Sequence, residues 1–137
     1  MKNLRAMVDN ILVPHGAFQE AQRRMNQCYA YVKDGAREPI CVALIGESRT
    51  GKSRSLESFA REHEKTRLDD GIRSPILRIE VPAVPTVKNL AQLGLEGIGA
   101  PDWQKGTEND ISRRLAHLMV ECQVRVLMFD EFHHFVD

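Results

Sequence analysis

The chain has 137 residues, with 19 lysines and arginines balanced by 19 aspartates and glutamates, and 42% hydrophobic residues. This is the composition of a single ordinary domain that can bury a core without staples, and its longest apolar runs, such as Val42-Ala43-Leu44-Ile45, are too short to span a bilayer. A net charge of zero supplies no global field for nucleic acid, so DNA binding must rest on a local patch or on repetition in an oligomer.

At the N-terminus Asp9 interrupts any apolar stretch after Lys2 and Arg5, and no small-residue cleavage site follows; a cytoplasmic location is expected. Phe18, Ala21, Met25, Cys28, Tyr29 and Val32 recur at three- and four-residue steps, which predicts an amphipathic helix from about 17 to 33, closed by Asp34-Gly35. Ile40 to Ile45 is short and unalternating, the pattern of a strand buried on both faces. A helix is predicted from Lys52 until Asp69-Asp70-Gly71, and a second strand over Ile76 to Val81. Pro82 to Gly106 reads as a loop-rich connection around a short helical segment after Thr86. Ile111, Leu115, Leu118, Met119 and Cys122 mark a further helix, with Thr107 or Asn109 as its cap, and Val124 to Phe129 forms a third strand. Strands alternating with helices indicate an α/β fold with a parallel sheet. Cys28, Cys41 and Cys122 make an odd set without a close pair, which suits reduced thiols.

The strongest motif is Gly46-Glu47-Ser48-Arg49-Thr50-Gly51-Lys52-Ser53, which fits GxxxxGK[ST] at every fixed position and stands between a predicted strand and a helix. The glycines let the backbone curl so that successive N–H groups face phosphate, and the following helix points its positive end at the same charge. In that reading Lys52 reaches the β- and γ-phosphates of ATP and Ser53 places its hydroxyl on Mg2+. The second motif, Val126-Leu127-Met128-Phe129-Asp130-Glu131, is an apolar strand ending in two carboxylates, the form of a Walker B element. Asp130 would hold the Mg2+ shell and Glu131 would orient and deprotonate the attacking water. Together the motifs predict nucleotide binding and ATP hydrolysis, with Lys52 and Glu131 as the catalytic pair. His133 and His134 are adjacent, so on either a helix or a strand they point apart and do not form an i, i+4 metal pair. Asp130-Glu131-Phe132-His133 also spells the DExH box of helicases, which keeps a helicase-like DNA-dependent ATPase as the alternative enzyme.

The phosphate loop, Ile11-Leu12-Val13-Pro14-His15 leading into the Phe18 helix, and Leu127-Met128-Phe129-Asp130-Glu131-Phe132-His133-His134-Phe135 resemble the TniB family of transposition ATPases, relatives of TnsC within the AAA+ class. The resemblance implies a P-loop NTPase domain, three-layer α/β/α with a parallel sheet. Residues 1–38 would be a leading segment and helix, and 39–137 the core from Walker A to Walker B. It implies an ATP-dependent regulator that assembles as a homo-oligomer on double-stranded target DNA and recruits or activates a transposase. Val13, Pro14 and His15 become candidates for contact with the adenine, or alternatively a hydrophobic staple at the helix start. Lys88, Lys105 and Thr107 become candidates for DNA phosphate contacts. Family members continue past Walker B into a sensor strand, an arginine finger and a helical lid, which cannot be assigned here. The chain therefore reads as the N-terminal portion of the domain, expected to leave strand edges unpaired. A non-catalytic nucleotide-binding or subunit-interaction fragment is the further alternative.

Overall fold

The computed structural model describes residues 16–31, 38–45 and 51–136. It is a mixed α/β structure in which helices flank a small parallel sheet. Helix α1 spans Gly16–Tyr31 and α2 spans Lys52–Glu62. A hairpin of β1, Thr66–Leu68, and β2, Gly71–Arg73, follows, then strand β3 at Ile76–Glu80. Helices α3, Val87–Ile98, and α4, Glu108–Glu121, lead to β4, Val126–Asp130, and a 3-10 turn at Phe132–Phe135.

Strands β3 and β4 are parallel, with Ile76 opposite Val126 and Glu80 opposite Asp130. Alternation along these strands sends side chains to two cores. On one face Met128 packs with Ala21 and Met25 of α1 and Phe59 of α2, with Ile76 and Val126 alongside. On the other, Leu77 and Ile79 pack with Ile98 and Cys122, joined by Leu90, Leu93, Leu115 and Leu118. Ala91, Leu95 and Ile111 extend this second layer between α3 and α4. At Gly94 a Cβ would stand 2.8 Å from a Leu115 methyl, so glycine is what lets α3 and α4 approach.

The caps explain where α3 and α4 begin. Thr86 and Thr107 each accept a hydrogen bond from the N3 backbone, of Asn89 and Asp110, whose side chains accept in return from the cap backbone. Gly99, at φ 89°, ends α3 in the left-handed conformation that glycine adopts without strain. Thr107 is thus the cap of α4.

Three expectations are corrected. Residues 38–45 carry no strand: Ile40 and Val42 are 43% exposed and Ile45 93%. A parallel strand is held by its neighbours' hydrogen bonds, and among the described residues none pairs with this run. Helix α2 stops at Glu62 rather than near Asp69, and the chain makes an antiparallel hairpin in which Leu68 faces Gly71 across the turn at Asp69-Asp70. The connection after β3 contains a full helix of 12 residues.

Candidate functional site

Gly51, at φ 90°, is the N-cap of α2, and its carbonyl accepts from both the backbone N–H and the hydroxyl of Ser55 at 2.9 and 3.0 Å. Lys52 and Ser53 therefore occupy the first turn, where a helix directs its N–H groups and its positive end outward. The Ser53 hydroxyl reaches across the fold and donates to Oδ1 of Asp130, the last residue of β4, at 3.0 Å.

Asp130 is held from two further directions. The backbone N–H of Glu131 donates to Oδ1 at 2.9 Å, and Arg78 Nη2 donates to Oδ2 at 2.8 Å. Burial opposes the charge on this 8% exposed residue, but the bonds from Arg78, Ser53 and Glu131 outweigh it and hold the carboxyl below its usual pKa. Asp130 is therefore ionised at neutral pH. Arg78 is the site residue that sequence reasoning missed. Its signal was an arginine inside the apolar strand Ile76-Leu77-Arg78-Ile79, a charge that a sheet tolerates only with a partner.

Glu131 adopts a left-handed backbone, φ 58° and ψ 38°, which ends the strand and opens the 3-10 turn. His134 Nδ1 lies 2.7 Å from the carbonyl of Val81, just past β3, and His133 Nε2 lies 3.4 Å from Glu131 Oε2. The expectation that the two histidines point apart is overturned: their ring centroids are 4.3 Å apart. The left-handed backbone at Glu131 turns the chain sharply at the end of β4, so its carboxylate and the two rings gather on one short turn, an arrangement that neither a regular helix nor a strand provides.

Beside Gly51, Lys52 and Ser55 an open cleft runs between α1 and residues 41–45, lined by Ala17, Phe18, Glu20, Ala21 and Arg24. The other phosphate-loop residues, Gly46, Glu47, Ser48, Arg49 and Thr50, lie outside the described residues, as do Val13, Pro14 and His15. Of the candidate DNA contacts, Lys88 is exposed, Lys105 pairs with Asp102 at 3.0 Å, and the Thr107 hydroxyl is engaged with Asp110.

The family model for the bacterial TniB protein matches residues 4–137. The chain belongs to the TniB family. Membership connects it to DNA transposition and to a generally ATPase-related family. No curated protein matches the sequence. No helix among the described residues of this TniB-family chain is long and apolar enough to cross a membrane.

Proposed function

We propose that this TniB-family protein is an ATP-binding and ATP-hydrolysing regulator of DNA transposition with a P-loop core of the AAA+ type. The observation that carries the reading is the Ser53–Asp130 hydrogen bond, which joins the end of the phosphate-loop motif to the acidic end of an apolar strand 77 residues later. The GxxxxGK[ST] motif is of the kind whose backbone N–H groups cradle phosphates, and Lys52 would offset the β- and γ-phosphate charge.

The Ser53 hydroxyl and the ionised Asp130 carboxylate are hard oxygen donors, the set that suits Mg2+, and these two residues would hold it. When bound, that ion supplies charge neutralisation at the phosphates. Glu131 positions a water and takes its proton as the water attacks the γ-phosphate. ATP binding favours a homo-oligomer on double-stranded DNA that engages a transposase, and hydrolysis releases it.

The test is titration of the chain with a fluorescent ATP analogue and magnesium. Lys52→Ala abolishes binding, whereas Glu131→Gln keeps it and lowers hydrolysis by roughly 10²- to 10⁴-fold, the range a positioned base contributes. Binding that survives Lys52→Ala would overturn the assignment.

A further inference from the structure

The turn after β4 carries a group of side chains that the proposed nucleotide chemistry uses only in part. Glu131, His133 and His134 each offer one ligand atom, and the three atoms lie within 4.8 Å of one another. Ligands at about 2.1 Å from a shared tetrahedral ion stand about 3.4 Å apart, so small side-chain rotations close the set. Glu131 Oε2 and His133 Nε2 are already at that separation, 3.4 Å.

His134 is prepared for such a role. Its Nδ1 faces the Val81 carbonyl at 2.7 Å, and because a carbonyl can only accept, Nδ1 carries the proton. In neutral His134 the lone pair is then on Nε2. A histidine that donates one ring N–H to a backbone carbonyl and offers the other nitrogen is the usual arrangement of a metal ligand held by its outer shell. The left-handed backbone at Glu131 and the 3-10 turn bring the three residues together from four consecutive positions. Such a backbone at a non-glycine residue is found most often where local geometry matters.

We propose that Glu131, His133 and His134 form a binding site for a first-row divalent transition ion, of which Zn2+ is the representative, with solvent in the remaining positions. Two imidazole nitrogens and one carboxylate select such ions over Mg2+, whose preference is for oxygen. The consequence rests on the function proposed above. A Glu131 carboxylate bound to Zn2+ cannot accept a proton from water, so occupancy of this site arrests ATP hydrolysis while leaving nucleotide binding at Lys52 in place.

The experiment titrates the full chain with Co2+ in the absence of nucleotide and follows visible absorption, then chases with Zn2+. The expected result is one equivalent of Co2+ with four- or five-coordinate d–d bands, displaced by Zn2+. Lys52→Ala leaves these bands unchanged, so the reading does not depend on the nucleotide site. His133→Ala, at a 56% exposed side chain, keeps the far-UV circular dichroism and lowers affinity by more than about a hundredfold, beyond what loss of an outer-shell partner alone costs. His134→Ala gives the same loss, and if it fails to fold, His133→Ala decides. Absence of the bands, their persistence in His133→Ala, or a thiolate charge-transfer band removed by Cys41→Ser would overturn the proposal. ATP binding that fails while the Co2+ bands behave as stated would overturn the nucleotide reading alone.

Discussion

Ser53 and Asp130 are 77 residues apart in sequence and joined by a 3.0 Å hydrogen bond, so the first turn of α2 and the end of β4 are in register with each other. The same carboxylate also accepts from Arg78 at 2.8 Å, and that ion pair is the partly buried centre of the site.

Removing one member of a shielded ion pair exposes the cost of leaving the other uncompensated. Asp130→Ala strands Arg78, whose side chain is 33% exposed, so the full penalty of a buried pair is reduced by solvent screening. The expected loss is about 1–3 kcal/mol, seen as a lower urea midpoint. The double variant Asp130→Ala with Arg78→Met recovers part of it. A single Asp130→Ala variant as stable as the parent would show that the pair contributes nothing.

Asp130 also sets an acid limit. Its folded pKa lies below the unfolded value of about 3.9, so its contribution is complete above that pH and is lost as pH falls through the folded value. Urea midpoints measured from about pH 6 downward should decline below roughly pH 4, and Asp130→Asn should flatten that decline. Glu20, lowered to about 2 by its hydrogen bonds to Arg23 and Arg24, acts in the same range but on an exposed helix surface. Repeating the series near 0.5 M salt, where the Debye length is only a few ångströms, suppresses the Glu20 share and leaves that of Asp130.

The capping boxes make a third prediction. Thr107→Ala removes the acceptor for the Asp110 N–H and the hydroxyl that bonds its carboxylate, and should cost about 1 kcal/mol, with Thr107→Ser retaining most of it. Thr86→Ala should behave alike through Asn89. If Thr107→Ala instead weakened DNA binding with stability unchanged, the residue would be a phosphate contact and not a structural cap.

The α3–α4 contact gives a fourth. Gly94→Val forces a side chain against the Leu115 methyls and Ile79, where even a Cβ stands 2.8 Å from Leu115. Overpacking of this kind costs about 1–3 kcal/mol, and Leu115→Ala in the same chain should relieve part of the clash. Thermal unfolding of the single and double variants measures the coupling, and additive effects would contradict the close approach.

Periodicity made α1 and α4 legible because each has an apolar stripe that packs as the spacing demands, whereas α3, set among prolines and glycines, was read only as a short segment. The two parallel strands, β3 and β4, were legible as apolar runs, and the carboxylate that ends β4 was legible as a candidate. Ile40 to Ile45 has the same apolar character, yet composition cannot state whether a neighbouring strand is present to pair with it. The Asp69-Asp70-Gly71 sequence was read only as a helix stop, although Asp-Gly is equally a hairpin signal; the flanking Leu68 and Ile72 stay exposed and gave no burial pattern to decide it. Arg78 was missed, and the contact between the histidine rings misread, for a different reason. Their roles depend on which side chain lies opposite, a relation that exists only once β3 is laid beside β4.

Val81 receives both sides of this arrangement: its N–H donates to the Asp130 carbonyl at 2.9 Å and its own carbonyl faces His134. Both backbone groups of this one residue are engaged with the end of β4 and the turn after it, so the Pro82–Pro85 connection into α3 and the turn that carries Glu131 are fastened to a common point. Val81→Pro would remove the N–H and loosen both at once.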